Sequence, residues 1–188
     1  MKRHTLLAIF LSAAFLIPTE GPAEAKRMKR HTIDTLNFRV YVPKTWKTAA
    51  LDELDASATW TIDKHGGRLT VYHLPDNRDL KGIQSDLKIE AKMRDWKIVK
   101  TRRAKVRGNK ALAMTLDIPG DGVTSRQMFY FFNTKHGRYI LQFGTAKKRF
   151  KKRLFRKIAA RFRPLKPKAK TPSVETAKTD ATPTQSDS

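Results

Sequence analysis

"MFYFF", Met128–Phe132, is apolar on whichever side it is turned. In an extended chain successive side chains point to opposite faces, so Met128, Tyr130 and Phe132 share one face while Phe129 and Phe131 share the other. A strand that is apolar on both faces needs a layer on each side of its sheet. The stretch lies in the third of four consecutive runs with strand character: "KIVKTRRAKVRG", "KALAMTLDIPG", "TSRQMFYFFNTKHG" and "RYILQFGTA". Turn signals separate them at Gly108-Asn109, Gly120-Asp121-Gly122 and His136-Gly137. They form an expected antiparallel meander of four strands.

Upstream, "NFRVYVP" places Phe38, Val40 and Val42 on one face and breaks at Pro43. "SATWTIDK" and "RLTVYHLP" are joined through "HGG" at His65 to Gly67 and read as a hairpin. From Asp79 to Trp96 the spacing changes. Leu80, Ile83, Leu87 and Ala91 recur at helical intervals with Asp79 as the cap, and Ile89, Met93 and Trp96 make a second, offset stripe. A closing helix is expected over Ala146 to Arg163, on a stripe of Leu154, Phe155, Ile158, Ala159 and Phe162. Lys151 falls on the line of that stripe, so the first turn must fray or the lysine must snorkel. The expected fold is α+β, an α/β/α sandwich around one antiparallel sheet of about seven strands.

The ends read differently. Residues 1–25 have a basic start at Lys2 and Arg3, an apolar run from Leu6 to Pro18, and small residues at Ala23 and Ala25, the pattern of a signal peptide cleaved after Ala25. As a membrane anchor the run falls short of the roughly 20 residues that cross a bilayer. "MKRHT" at residues 1–5 returns at Met28–Thr32, and residues 26–35 are expected to be a basic arm ahead of the first strand. Pro164 to Ser188 is rich in proline, lysine, threonine and serine and is expected to stay disordered. The folded domain then spans 36–163, and the protein is expected to be periplasmic or secreted.

These elements resemble those of the PsbP and DcrB-like proteins, whose relatives include the Ran-binding Mog protein. The matching residues are "FRVYVPKTW" (Phe38 to Trp46), a helix, the glycine turn of "VRGNKALAM", the aromatic hairpin "QMFYFFNTKHGRYILQF", and a closing helix ending at Phe162. The resemblance covers residues 36–163. It implies a non-catalytic binding or assembly factor: members are photosystem subunits, bacterial envelope proteins and a nuclear transport factor. Many bacterial relatives are lipoproteins. This chain has no cysteine, so it lacks the attachment thiol as well as any disulfide.

Chemistry is sparse. His31, His65, His73 and His136 show none of the spacings that put two metal ligands on one helix face, so no metal is expected. Ser57, Ser85 and Ser125 lack a nucleophile elbow, there is no phosphate-binding glycine loop, and no cofactor is expected. Asp52, Glu53 and Asp55 are expected to decorate a long loop after Trp46. "KHGGR" and "KHGR" put His65 with Arg68, and His136 with Arg138, at two hairpin tips that would form an anion cradle if they met.

Charge is the strongest signal. The net charge is +23, and residues 1–25 contribute two basic and two acidic side chains, so all of it belongs to the rest of the chain. Lys147 to Arg163 holds ten basic residues and no acidic one. Lys147, Lys148, Arg149, Lys152, Arg153, Arg156, Lys157 and Arg163 are the candidate anion-binding residues. Such a face calls for anionic lipid, anionic polysaccharide or an acidic protein. Nucleic acid is the alternative partner, disfavoured by the signal segment and by the lack of a base-reading motif. An enzyme with a pocket between sheet and helix is the third class, and no motif supports it.

Overall fold

The computed structural model describes residues 28–52, 54–62, 67–120 and 122–167. The expected signal segment with Ala25, the histidine at position 65 and the chain beyond 167 lie outside the described residues. In chain order the elements are β1 (Met28–Ile33), β2 (Phe38–Pro43), β3 (Lys47–Asp52), β4 (Ser57–Ile62), β5 (Gly67–Leu74), α1 (Leu80–Met93), β6 (Lys97–Val106), β7 (Asn109–Ile118), β8 (Ser125–Thr134), β9 (Gly137–Ala146), α2 (Lys152–Arg161) and β10 (Arg163–Pro164). Seven strands make an antiparallel sheet in the order β3-β4-β5-β9-β8-β7-β6, and β1, β2 and β10 make a separate one. The fold is mixed α+β, mostly sheet.

β8 behaves as its sequence demands. Met128, Tyr130 and Phe132 enter one core with Trp60, Tyr139, Phe143 and the β2 residues Phe38, Val40 and Val42. Phe129 and Phe131 enter the other with Leu112, Met114, Ile140 and the α1 residues Ile83 and Leu87. The first core is covered by α2 together with the small sheet, the second by α1. Asp79 caps α1 by accepting from the Gly82 N–H at 3.2 Å. Of the two stripes expected on α1, the first is buried, and of the second only Trp96, beyond the end of the helix, packs against the second core. Ile89 and Met93 are exposed.

Three expectations change. The strand "FRVYV" is not in the large sheet; β3 completes its seven strands instead, paired to β4 in the segment expected to be a loop. β3 went unseen because it is an edge strand with every residue exposed, so it carries no apolar alternation. The expected basic arm is an edge strand too. β1 pairs antiparallel with β2, Met28 against Pro43 through Ile33 against Phe38, so the second "MKRHT" is part of the fold. Its basic composition conceals Met28, His31 and Ile33, which are partly buried, Met28 and Ile33 against the first core. Pro164, expected to open a disordered tail, is instead part of a strand. Arg163 and Pro164 pair with β2, and the Leu165 N–H donates to the Asn37 carbonyl at 2.7 Å. Tyr139, fully buried, donates its hydroxyl to the same carbonyl at 2.7 Å, which ties the small sheet to β9.

His31 makes this docking sensitive to pH. Its ring meets Trp60 edge-on at 5.6 Å, and its Nε2 has no hydrogen-bond partner among the described residues. Burial first, and the Lys29 ammonium second, hold its pKa below the usual value of 6.5. The folded chain therefore prefers neutral imidazole, and this contribution to stability is present above pH 6.5 and lost as pH falls below it. Denaturant melts should show stability dropping from pH 7 to pH 5, with the drop diminished in His31→Gln. An equal drop in that variant would place the sensitivity elsewhere.

Candidate anion-binding face

The chain leaves β9 at Ala146, makes a 3-10 turn at Lys147–Arg149, and starts α2 only at Lys152. The helix expected over Ala146 to Arg163 thus loses its first six residues and its last two. Continuing the helix through Lys151 would aim that ammonium along the buried stripe, and Phe150 instead packs on Phe155 with ring centroids 5.3 Å apart. Phe155 stacks on Phe143 at 4.7 Å, and Phe162 stacks on Phe38 at 5.3 Å. Both ends of α2 are therefore pinned to the sheets, and its cations are held where the packing puts them.

The candidate residues do not act as one group. Lys147 reaches Asp117 at 3.0 Å. Arg126 grips the same carboxylate with two hydrogen bonds, at 2.6 and 2.8 Å, and its guanidinium lies over the Phe150 ring. Lys148, Arg153 and Lys157 are exposed, Arg149 is half-buried, and Arg163 leaves α2 to pair across from Arg39. Lys152 and Arg156, one turn apart, share the end of α2 with cations that sequence reasoning did not single out. Arg156 first, then Lys100, Arg102 and Arg126, together with some desolvation, push the Lys152 ammonium below its ordinary pKa. Each of these four neighbouring charges is positive.

Lys100 and Arg102 come from β6, where Arg102 stands opposite Ala113 and Ala104 opposite Ala111, on the face that α2 covers. An open cleft of about 240 Å³ separates β6 from α2, lined by Arg102, Ala104, Lys105, Tyr130, Arg156, Ala159 and Ala160. Arg102 donates from Nη2 to the Tyr130 hydroxyl at 3.4 Å on its floor. Lys100, Arg102, Lys105, Lys152 and Arg156 make no ion pair with a carboxylate among the described residues. The signal for the β6 half was the basic run "KTRRAK", Lys100–Lys105, which also suits an edge strand guarded against pairing with another chain.

The second candidate site is not assembled. β5 and β9 pair with Arg68 against Gly144 and Leu74 against Arg138, so Arg68 and Arg138 sit at opposite ends of that ladder. Six residue steps at about 3.3 Å put them some 20 Å apart along the strands. Arg138 is buried and pairs with Asp76 at 3.3 Å, and the His136 carbonyl accepts from His73 Nε2 at 3.0 Å. These are contacts that hold the β8–β9 tip in place. Gly137 at that tip has φ +121°, and a Cβ there would run into the Leu74 carbonyl. Among the described residues no group of three His, Cys, Asp or Glu side chains could hold one metal ion, and no helix is long and apolar enough to cross a membrane.

No protein-family model matches the chain, and no curated protein sequence does. The likeness is in the fold. The solution structure of cyanobacterial PsbP from Synechocystis superposes with a TM-score of 0.56 at 12% identity, covering 78% of this chain and 98% of that one. A protein from Bacteroides thetaiotaomicron matches with a TM-score of 0.55, also at 12% identity, over 73% of this chain. This chain spans about half of that protein, 48% of its length. The fold is PsbP-like.

Asp117 sets the acid limit of the face. Its hydrogen bonds to Arg126 outweigh its burial and, with Lys147, hold its pKa down at about 2. A carboxylate depressed in the folded state stabilises above its unfolded pKa and ceases to do so as pH falls through the folded one. Wild type should lose stability between about pH 4 and pH 2, and Asp117→Asn, already weaker at pH 7, should lose little more across that window. Parallel acid melts in which the two proteins lose equal stability across that window would refute this assignment.

Proposed function

We propose that this is a non-enzymatic, exported envelope protein of the PsbP and DcrB-like kind, which attaches to an anionic surface or acidic partner through the cationic face of α2 and β6. One observation carries the reading. Lys100 and Arg102 from the sheet and Lys152 and Arg156 from α2 lie on one face with no carboxylate pairing to them among the described residues. Like charges held this close repel one another, and an anion that binds among them relieves the repulsion. The signal pattern of residues 1–25 supports an envelope address, where anionic headgroups and polysaccharides are the abundant partners. Each basic side chain near an anionic bilayer contributes about 1 kcal/mol, so four on one face suffice for reversible attachment.

The test is co-sedimentation of the protein as the exporting cell leaves it with vesicles of phosphatidylcholine alone or with added phosphatidylglycerol. Attachment should require the anionic lipid, weaken as salt rises, and fall about tenfold or more in the Lys152→Glu/Arg156→Glu double variant. Equal sedimentation with both vesicle types would defeat the lipid form of the proposal. Sequencing of the native N-terminus should begin at Lys26.

A further inference from the structure

We infer that the cleft between β6 and α2 is a binding site for a phosphate monoester, which makes it the selective centre of the cationic face proposed above and rests on that reading. The argument starts from what surrounds the space. Arg102 enters from β6, Arg156 enters from α2, and the hydroxyl of Tyr130 rises from β8. Tyr130 is 3% exposed, so its ring is fixed in the core, and its hydroxyl is held by Arg102 Nη2 at 3.4 Å. Two guanidinium forks supply planar pairs of N–H donors that match the oxygens of a phosphate or carboxylate. Two guanidiniums face the cleft and Lys152 adds a third cation beside it, with no carboxylate in the lining. A single carboxylate leaves most of that charge unanswered, whereas a monoester dianion answers two charges at one point.

Shape narrows the class further. The walls are Ala104, Ala159 and Ala160, the smallest side chains that still present a methyl group. They leave about 240 Å³, room for roughly eight waters at about 30 Å³ each. That accommodates a phosphate and a short ester carbon chain such as glycerol, and it is smaller than the usual range of about 300–1,000 Å³ for ligand pockets. The ester carbons would lie on the alanine methyls. The ligand chemistry is a phosphate monoester, whether free in solution or exposed as the headgroup of a lipid.

Calorimetric titration with glycerol 3-phosphate, with acetate and glycerol as controls, reads the site directly. Binding should be seen for glycerol 3-phosphate and be at least tenfold weaker for acetate. Arg102→Gln and Arg156→Gln should each lose about tenfold, the worth of one charge-assisted hydrogen bond. Lys92→Gln, which removes the same charge from α1 across the sheet, should bind as wild type does. Ala160→Leu closes the cleft at an exposed helical position without touching any charge, and should abolish glycerol 3-phosphate binding while helicity by circular dichroism stays intact. Vesicles separate the two sources: at matched surface charge, phosphatidic acid should bind more protein than phosphatidylglycerol if the monoester is a lipid headgroup, and Ala160→Leu should erase that preference alone. Equal binding of the two lipids, with glycerol 3-phosphate still bound, assigns the site to a free monoester. Undiminished glycerol 3-phosphate binding in Ala160→Leu, or acetate bound as tightly, overturns the cleft even if vesicle attachment survives. Loss of vesicle attachment with the cleft intact overturns the surface reading instead.

Discussion

β8 has to be kept dry on both sides, and the other layers are arranged around that requirement. Tyr130 and Phe132 lie in one core, Phe129 and Phe131 in the other, each nearly or fully buried. Removing one such side chain from water contributes about 1.5–3 kcal/mol, so leaving either face open would forfeit a large share of a small domain's net stability. The two cores are unequal. The α1 side is mostly aliphatic, whereas the other gathers Trp46, Trp60, Phe38, Phe132, Tyr139, Phe143, Phe155 and Phe162. A helix of ten residues is about 15 Å long and does not cover that many rings. The small sheet of β1, β2 and β10 covers the remainder, and Phe38 joins the two halves by touching Trp60, Tyr139 and Phe162.

The same packing creates the electrostatics. α2 cannot turn away from β6, because Phe155, Ile158 and Phe162 anchor its apolar side. Its remaining side chains are then committed to a fixed spacing from Lys100 and Arg102. Among the described residues Asp117 answers Arg126 and Lys147. Cations near enough to lower a neighbouring ammonium's pKa are screened only in part by solvent ions, whose Debye length is about 8 Å at physiological salt. The face is held together by aromatic packing behind it rather than by any balance of charge within it.

Much of this was legible in the sequence where the periodicity was strong. The alternation in "MFYFF" specified two covered faces, the four-strand meander followed from its turn signals, and Asp79 was visible as a cap. Edge strands were not legible. β1 and β3 each pair on one side only, and their lysines, alanines and threonines show no apolar alternation to reveal a buried face. For β1 the burial comes from its partner, since only after pairing with β2 do His31 and Ile33 come to stand opposite Val40 and Phe38.

The candidate face divides along the same line. Composition alone established a large positive excess, and the stripe of Phe155, Ile158, Ala159 and Phe162 established that α2 packs with its charges outward. Local spacing determines such features because they depend on neighbours within a few residues. Which cations meet was decided by the tertiary structure. Arg102 and Arg156 are more than fifty residues apart and share a cleft because β6 is the edge strand beneath α2, while Arg68 and Arg138, matched in sequence context, are sent to opposite ends of the β5–β9 ladder. Sheet order and register are properties of pairing between distant segments, and no single segment contains them.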